Sequence, residues 1–361
     1  MTTTTQQPSV DDQAASAFAG RLFETYTQGM LTLIIDLAHR TGLLDAIAAG
    51  PGTSTELAER AGLSERYIRE CVGALTTGRI VDYDPTAQCY SLPPERAACL
   101  SGDGSLNIAP MSRFVAALSK TLDDVAVAFR DGGGVPYERF RPEFTDLMDG
   151  ASRGFFDGQL IDGVLPLTGD LPTRLAEGIR VADLGCGSGH STNLLAKAFP
   201  RSVFVGYDIA VDALDRARSE ATTYGLTNVS FQRLDVTELP ADPPLDAAFA
   251  FDAIHDQADP AGVLDRVHAA LRPGGTFVMF DTKASSEVEN NLEYPMATLL
   301  YSISTLHCLT VSLAEGGAGL GAVWGEELAR RMLTDAGFVG IEVHAVPDDP
   351  LDVVYVARRA G

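Results

Sequence analysis

Two stretches of this chain carry residue types whose spacing could do chemistry, IRVADLGCGSGH at 179–190 and FDAIHDQAD at 251–259. In the first, Val181 and Ala182 lead into Asp183 and then into Gly185, Gly187 and Gly189 on alternate positions, as in a buried strand that turns sharply into a helix. Glycines there allow unusual backbone dihedrals and let a ligand approach the main chain without meeting a Cβ. The turn therefore predicts a nucleotide-cofactor site. A dinucleotide fingerprint, G-x-G-x-x-G, would need its third glycine at 190, where the sequence has His190; the pattern here is D-x-G-x-G-x-G. Cys186, inside the turn, is either a reactive thiol or a small side chain that suits a tight bend. In the second stretch, Phe251, Asp252 and Ile254 close a buried run, and His255 and Asp256 follow at once. That is the carboxyl edge of a strand, where open α/β sheets bind their ligands.

The segments around these motifs read as the elements that would position them. After the glycine turn come a helix, STNLLAKAF, and a second strand, SVFVGYDIA, whose end carries Asp208 about 20 residues beyond the glycines, the expected distance of a ribose-binding acid. The alternative for Asp208 is a plain turn residue. Ile209 beside it could pack on a purine. An amphipathic helix, VDALDRARSEATTYG, precedes a third strand, NVSFQRLDVTEL, with Asp235 and Val236 near its end. ALRPGG then turns into the strand GTFVMFD, an apolar insertion follows, and GEELARRMLTDAGF precedes two closing strands, VGIEVHAV and LDVVYVARR.

In this order the motifs resemble class I S-adenosylmethionine-dependent methyltransferases, and among them the small-molecule O-methyltransferases that carry an N-terminal winged helix. The resemblance covers residues 175–361 by motif and the rest by architecture. It implies an α/β, Rossmann-like, seven-stranded domain preceded by a mostly helical winged-helix-like domain, with S-adenosyl-L-methionine as cofactor. Asp183, Gly185, Gly187, Gly189, Asp208, Ile209 and Phe251 would bind the cofactor, with Asp235 and the Val236 N–H at the adenine; a capping role is the competing reading of Asp235. The family's H-D-x segment makes His255 the candidate general base, since imidazole titrates near neutral pH. Asp256 would orient it or cap the next helix. Gln257 stands where these families commonly have Trp. The resemblance implies no metal and a homodimer.

Residues 21–50 have helical apolar spacing, and 53–92 have the rhythm of a winged helix, with caps at Thr53 or Ser54 and at Ser64, a stop at Gly78 and a hairpin from Ile80 to Leu92. Its second helix carries Glu65, Arg66, Arg69 and Glu70, which sum to zero, and the whole chain has a net charge of −22. Nucleic acid, which needs clustered cations to displace counterions, is a poor partner. A neutral or cationic small-molecule acceptor suits the charge better.

The expected domains are a disordered tail at 1–20, a winged-helix-like dimerisation domain at 21–105, a helical connector and pocket cover at 106–172, and the cofactor-binding domain at 173–361. In the connector, Phe155 and Phe156 are core or a wall over the acceptor. In the insertion, Glu293, Tyr294, Tyr301, His307 and Trp324 would line an acceptor pocket or pack a junction. His307 is the rival base or a core histidine. Five cysteines without a C-x-x-C pair argue against a disulfide framework or a zinc site. No uninterrupted apolar run of about 18 residues appears, and no secretion signal, so no membrane contact and a cytoplasmic location are expected. Two alternatives to methyl transfer are a cofactor-sensing winged-helix regulator and a non-methylating enzyme that retains the pocket.

Overall fold

The computed structural model of the chain describes residues 10–104, 106–347 and 349–361, which divide after Ala116 into two compact units. In the first, a helix runs from Asp12 to Arg40, with the Asp11 carboxylate accepting from the N–H groups of Gln13 and Ala14 at 3.0 Å each. This cap, ahead of an alanine-rich turn, corrects the expected tail. Residues 12–20 are helical, while 1–9 lie outside the described residues.

The helices Leu43–Ala48, Ser54–Ala61 and Glu65–Thr77 follow, then a two-stranded hairpin, β1 (Asp82–Asp84) and β2 (Cys89–Ser91). Thr53 and Glu56 form a reciprocal capping box, and Gly62 ends that helix with φ +68°. Ser64 occupies the next cap position without a side-chain bond. Leu44, Ile47, Leu57, Ile68, Val72 and Leu75 form the core of this unit. On the helix Glu65–Thr77, Arg69 pairs with Glu65 and Arg66 with Glu70, both at 2.6 Å, so each guanidinium already has a carboxylate one turn away.

The second unit is built on a sheet of seven strands: β3 (Arg180–Leu184), β4 (Val203–Asp208), β5 (Val229–Arg233), β6 (Leu245–Phe251), β7 (Leu271–Thr282), β8 (Phe338–Ala345) and β9 (Asp352–Arg359). Their order is β5-β4-β3-β6-β7-β9-β8, and only β9 runs against its neighbours. This is the seven-stranded arrangement the resemblance implied. β3 and β6 are central strands buried along nearly their whole length and apolar but for Arg180 and Asp183 in β3 and Asp246 in β6, as in a sheet covered on both faces. One face packs Leu184, Val205, Leu264, Phe277 and Leu333; the other packs Phe156, Leu160, Phe204, Phe249 and Phe280. The chain winds outward in both directions from the β3–β6 pair, and at such a switch point the loops leaving the carboxyl ends open a crevice. The glycine turn and the His255 segment leave those two strands.

One stretch, Ala297–Ala314, is long and apolar enough to cross a membrane, where none was expected. It consists of two helices, Ala297–Leu306 and Cys308–Ala314, and the backbone breaks between them at His307, with φ −136° and ψ −77°.

Candidate active site

The three glycines of the turn have φ of +67°, +52° and +70°, a left-handed region in which other residues are strained. Their surroundings separate them. A Cβ on Gly185 would lie 2.7 Å from the Ala253 Cβ, and one on Gly189 would lie 2.5 Å from the Phe231 ring. Gly187 has open space before it. Gly185 and Gly187 line a cavity of about 940 Å³, while Gly189 serves close packing behind it. Burial pushes the Cys186 thiol well above its ordinary value, which disfavours the reactive-nucleophile reading.

Asp208 closes the turn from the next strand: its Oδ2 accepts from the Gly187 N–H at 2.8 Å and its Oδ1 from the Ala210 N–H at 2.8 Å. Burial nonetheless raises its carboxyl above the usual range. Asp183, 1% exposed, accepts from the Ser191 and Thr192 hydroxyls through Oδ2 and leaves Oδ1 buried without a partner. Burial pushes its carboxyl up to about 7. Asp235 caps a single turn, Val236–Glu238, by accepting from the Thr237 N–H at 2.9 Å, and with Ile209, Val236 and Phe251 it also lines the cavity. Both readings of Asp235 therefore describe the same side chain. The glycine cradle, a two-oxygen acid beside it and an orphaned buried carboxylate oxygen form a donor and acceptor set that fits an adenosyl amino-acid cofactor. Two triplets, His255 with Asp256 and Cys308, and Asp252 with His255 and Asp281, bring metal-ligand-type atoms within 4.8 Å of one another. Both depend on His255, whose Nδ1 is already engaged.

The rest of the cavity draws on three segments distant in sequence: Tyr137, Phe144, Met148 and Phe156; Asp252, Asp256 and Gln257; and His307, Val311 and Glu315. His255 is not among its lining residues. The ring lies behind the wall, 3% exposed, with Nδ1 2.7 Å from Asp281 Oδ1 and Nε2 3.4 Å from Asp256 Oδ1. Burial alone would lower its pKa, but Asp281 and then Asp256 outweigh burial and hold the imidazole well above its ordinary value. Asp281 is fixed in turn by the Trp324 Nε1–H at 3.1 Å and the Thr282 N–H at 2.8 Å. Sequence reasoning missed Asp281; its one signal was an acid ending the strand GTFVMFD. Asp252, with φ +48° and Oδ1 buried without a partner, is pushed up to about 7 by burial and by Asp281.

The remaining expected residues separate in space. Phe156 lines the cavity, whereas Phe155 packs on Phe280 at 5.5 Å between ring centroids. Trp324 is core, 3% exposed, and reaches the site only through Asp281. Tyr294 and Tyr301 line a separate cavity of about 550 Å³ with Val288, Leu292 and Thr298. Glu293 is absent from the lining of both cavities. His190, at the position that broke the dinucleotide pattern, is buried between Asp157 and Glu220, 3.0 Å from each. Arg153 joins Glu220 at 2.6 Å to Asp149 at 3.0 Å, and Asp149 accepts from the Ser188 hydroxyl. This network ties the cover helix Glu143–Gln159 to the glycine turn, and no local motif announces it.

Residues 175–337 match the sequence profile of a methyltransferase domain, and residues 29–102 match that of an Rv2258c-like winged helix-turn-helix domain. A trans-aconitate 2-methyltransferase of Methylobacterium nodulans is 33% identical over 130 residues, which are 36% of this chain and 46% of that protein. The O-methyltransferase cnsE of Penicillium expansum is 29% identical over 161 residues, 41% of this chain and 57% of that one. The chain thus spans about half the length of these curated relatives. Among solved structures, mitomycin 7-O-methyltransferase MmcR superposes with a TM-score of 0.72 at 20% identity, covering 96% of this chain and 99% of that one. Human N-acetylserotonin methyltransferase, solved with S-adenosylmethionine, gives 0.65 at 18% identity, covering 98% and 100%. At that identity the likeness is one of fold.

Proposed function

We propose that this chain, a methyltransferase domain behind a winged helix-turn-helix domain, transfers a methyl group from S-adenosylmethionine to a hydroxyl of a small organic molecule. The observation that carries the reading is the single cavity that runs from the glycine cradle and Asp208 to a polar-and-aromatic end containing Asp256 and His307. A cofactor of this kind supplies an already activated methyl, so the residues of the chain have to position, desolvate and handle one proton. Gly185 and Gly187 leave room beside the main chain, Asp208 presents carboxylate oxygens to ribose hydroxyls, and Asp235 and Val236 stand where the adenine would lie.

At the other end Asp256 is the carboxylate that faces the acceptor and takes its proton. His255 sits behind it, held charged between Asp281 and Asp256, and positions that carboxylate rather than touching the acceptor. Nine carboxyl side chains line the cavity against one guanidinium, Arg233. This disfavours a polycarboxylate acceptor, although several relatives are named for trans-aconitate. The same acidity, with Arg66 and Arg69 already paired, supports a partner list of small molecules without nucleic acid or membrane; a homodimer and a cytoplasmic location complete the proposal.

The test is mass spectrometry of a small-metabolite extract incubated with the protein and S-adenosylmethionine carrying a deuterated methyl group. A new species with the heavy-methyl shift is expected. No shifted species, with cofactor binding demonstrated, would favour a regulator or a non-methylating enzyme.

A further inference from the structure

His307 is 1% exposed, lines the cavity, and has neither ring nitrogen hydrogen-bonded. Its main chain is fully committed: its N–H donates to the Ile303 carbonyl at 2.8 Å and its carbonyl accepts from the Val311 N–H at 2.9 Å. The ring is clamped as well. It stacks on Phe144 with centroids 3.6 Å apart and planes 13° apart, and meets Phe140 and Tyr137 edge-on at 4.7 and 6.0 Å. Asp256 Oδ2 lies 4.0 Å from Nδ1, beyond hydrogen-bond reach. A buried polar group without a partner costs about 1–3 kcal/mol, and an apolar side chain would fill the same place without that cost. A rigid, aromatic-lined pocket with one unpaired donor and acceptor is how a protein selects a flat ligand bearing one polar group.

We infer that His307 is the acceptor-recognition residue: its imidazole hydrogen-bonds the hydroxyl of a planar aromatic acceptor that enters against Tyr137, Phe144 and Phe156. This deepens the methyl-transfer reading and rests on it for the identity of the site, but it needs no turnover to be tested. Burial pushes the His307 imidazole down to about 4, so near neutral pH it is uncharged, with one nitrogen to donate and one to accept. Asp256, next to it, is then within reach of the same hydroxyl. His307 is a substrate-binding residue, and His255, tied to Asp281, is a positioning one.

The test uses the full chain with 15N-labelled histidines, loaded with S-adenosylhomocysteine and titrated with phenol, catechol, 1-naphthol or trans-aconitate. At least one phenol is expected to move the His307 ring signals, identified by their loss in His307→Gln, while those of His268 and His344 stay still. His307→Gln is expected to weaken that phenol about tenfold, one hydrogen bond's worth, and to change S-adenosylhomocysteine affinity less than about twofold. The inference is overturned if no phenol moves those signals, if trans-aconitate moves them more than any phenol, or if His307→Gln binds the phenol as the parent does. Where His307→Gln fails to fold, His307→Asn supplies the assignment, and the wild-type titration then decides the matter. Should S-adenosylhomocysteine not bind, the methyl-transfer reading falls, and the phenol titration of the ligand-free protein still decides His307.

Discussion

The two ends of the large cavity are built on opposite plans. At the glycine end main-chain groups do most of the work: Asp208 is spent on two backbone N–H groups, and Gly187 is open because no side chain is there. Around His307 side chains from positions 137 to 315 converge, and several of their polar atoms are buried and unpaired, on Asp252 and His307. The first end leaves one buried carboxylate oxygen, Asp183 Oδ1, without a partner, and the second leaves Asp252 Oδ1 and both His307 ring nitrogens so. A site that is part of the backbone turn cannot vary much without losing the fold. A site made of side chains on separate loops can change its acceptor while the fold stays the same.

The largest effect that would sharpen this contrast is at Asp256. Asp256→Asn should lower turnover by about 100- to 1,000-fold, the usual range for losing a proton-handling group, with cofactor affinity unchanged. Steady-state rates with the heavy-methyl donor check it, and near-normal turnover would remove Asp256 from proton handling. Next is Asp208→Ala, which takes a charged acceptor from the cofactor and frees the Gly187 N–H. About 100-fold weaker S-adenosylhomocysteine binding is expected by calorimetry, the equivalent of roughly two charge-assisted hydrogen bonds.

The two neighbouring histidines should respond to pH with opposite sign. His307, lowered to about 4, excludes a proton that the unfolded chain binds below about 6.5. Its contribution is therefore complete above about pH 6.5 and is lost as pH falls toward 4, about 3 kcal/mol in all. His255, raised by its two carboxylates, contributes fully below about pH 6.5 and loses that contribution as pH rises through its folded value. Urea unfolding of the wild type and His307→Gln between pH 4 and 7 isolates the first effect; parallel curves would contradict it. The smallest effect expected is that of Arg153→Ala, since the guanidinium is about a third exposed and its pairs are partly screened. It should weaken S-adenosylhomocysteine binding severalfold by loosening the cover helix from Ser188, and unchanged affinity would show that the helix is held by packing alone.

The same division decides what could be read from the sequence. β3, the glycine turn, β4 and Asp208 were legible because strand, turn and acid lie within 30 residues, and each leaves a local mark. The winged helix and its capping box at Thr53 and Glu56 were legible for the same reason. Gly189 packs toward Phe231 and is absent from the cavity lining, a distinction that the alternation of glycines does not carry. His255 and Asp256 were found as a pair, but their roles were not, since one residue faces the cavity and its neighbour faces Asp281 only after β7 is laid beside β6. Tyr301 lines the other cavity and Trp324 is core, placements that helical spacing in the insertion could not give, since it does not fix the rotation of a helix relative to the sheet. The Arg153–Glu220–His190 network joins three helices and has no signature shorter than the fold itself.

If, as proposed, the cavity holds the cofactor at the glycine turn and the acceptor at His307, the two bind separately. Calorimetric titration of S-adenosylhomocysteine into the wild type, Asp208→Ala and His307→Gln side by side tests it most directly. About a 100-fold loss is expected for Asp208→Ala and less than about a twofold change for His307→Gln. Equal losses in both variants, or none in either, would contradict it.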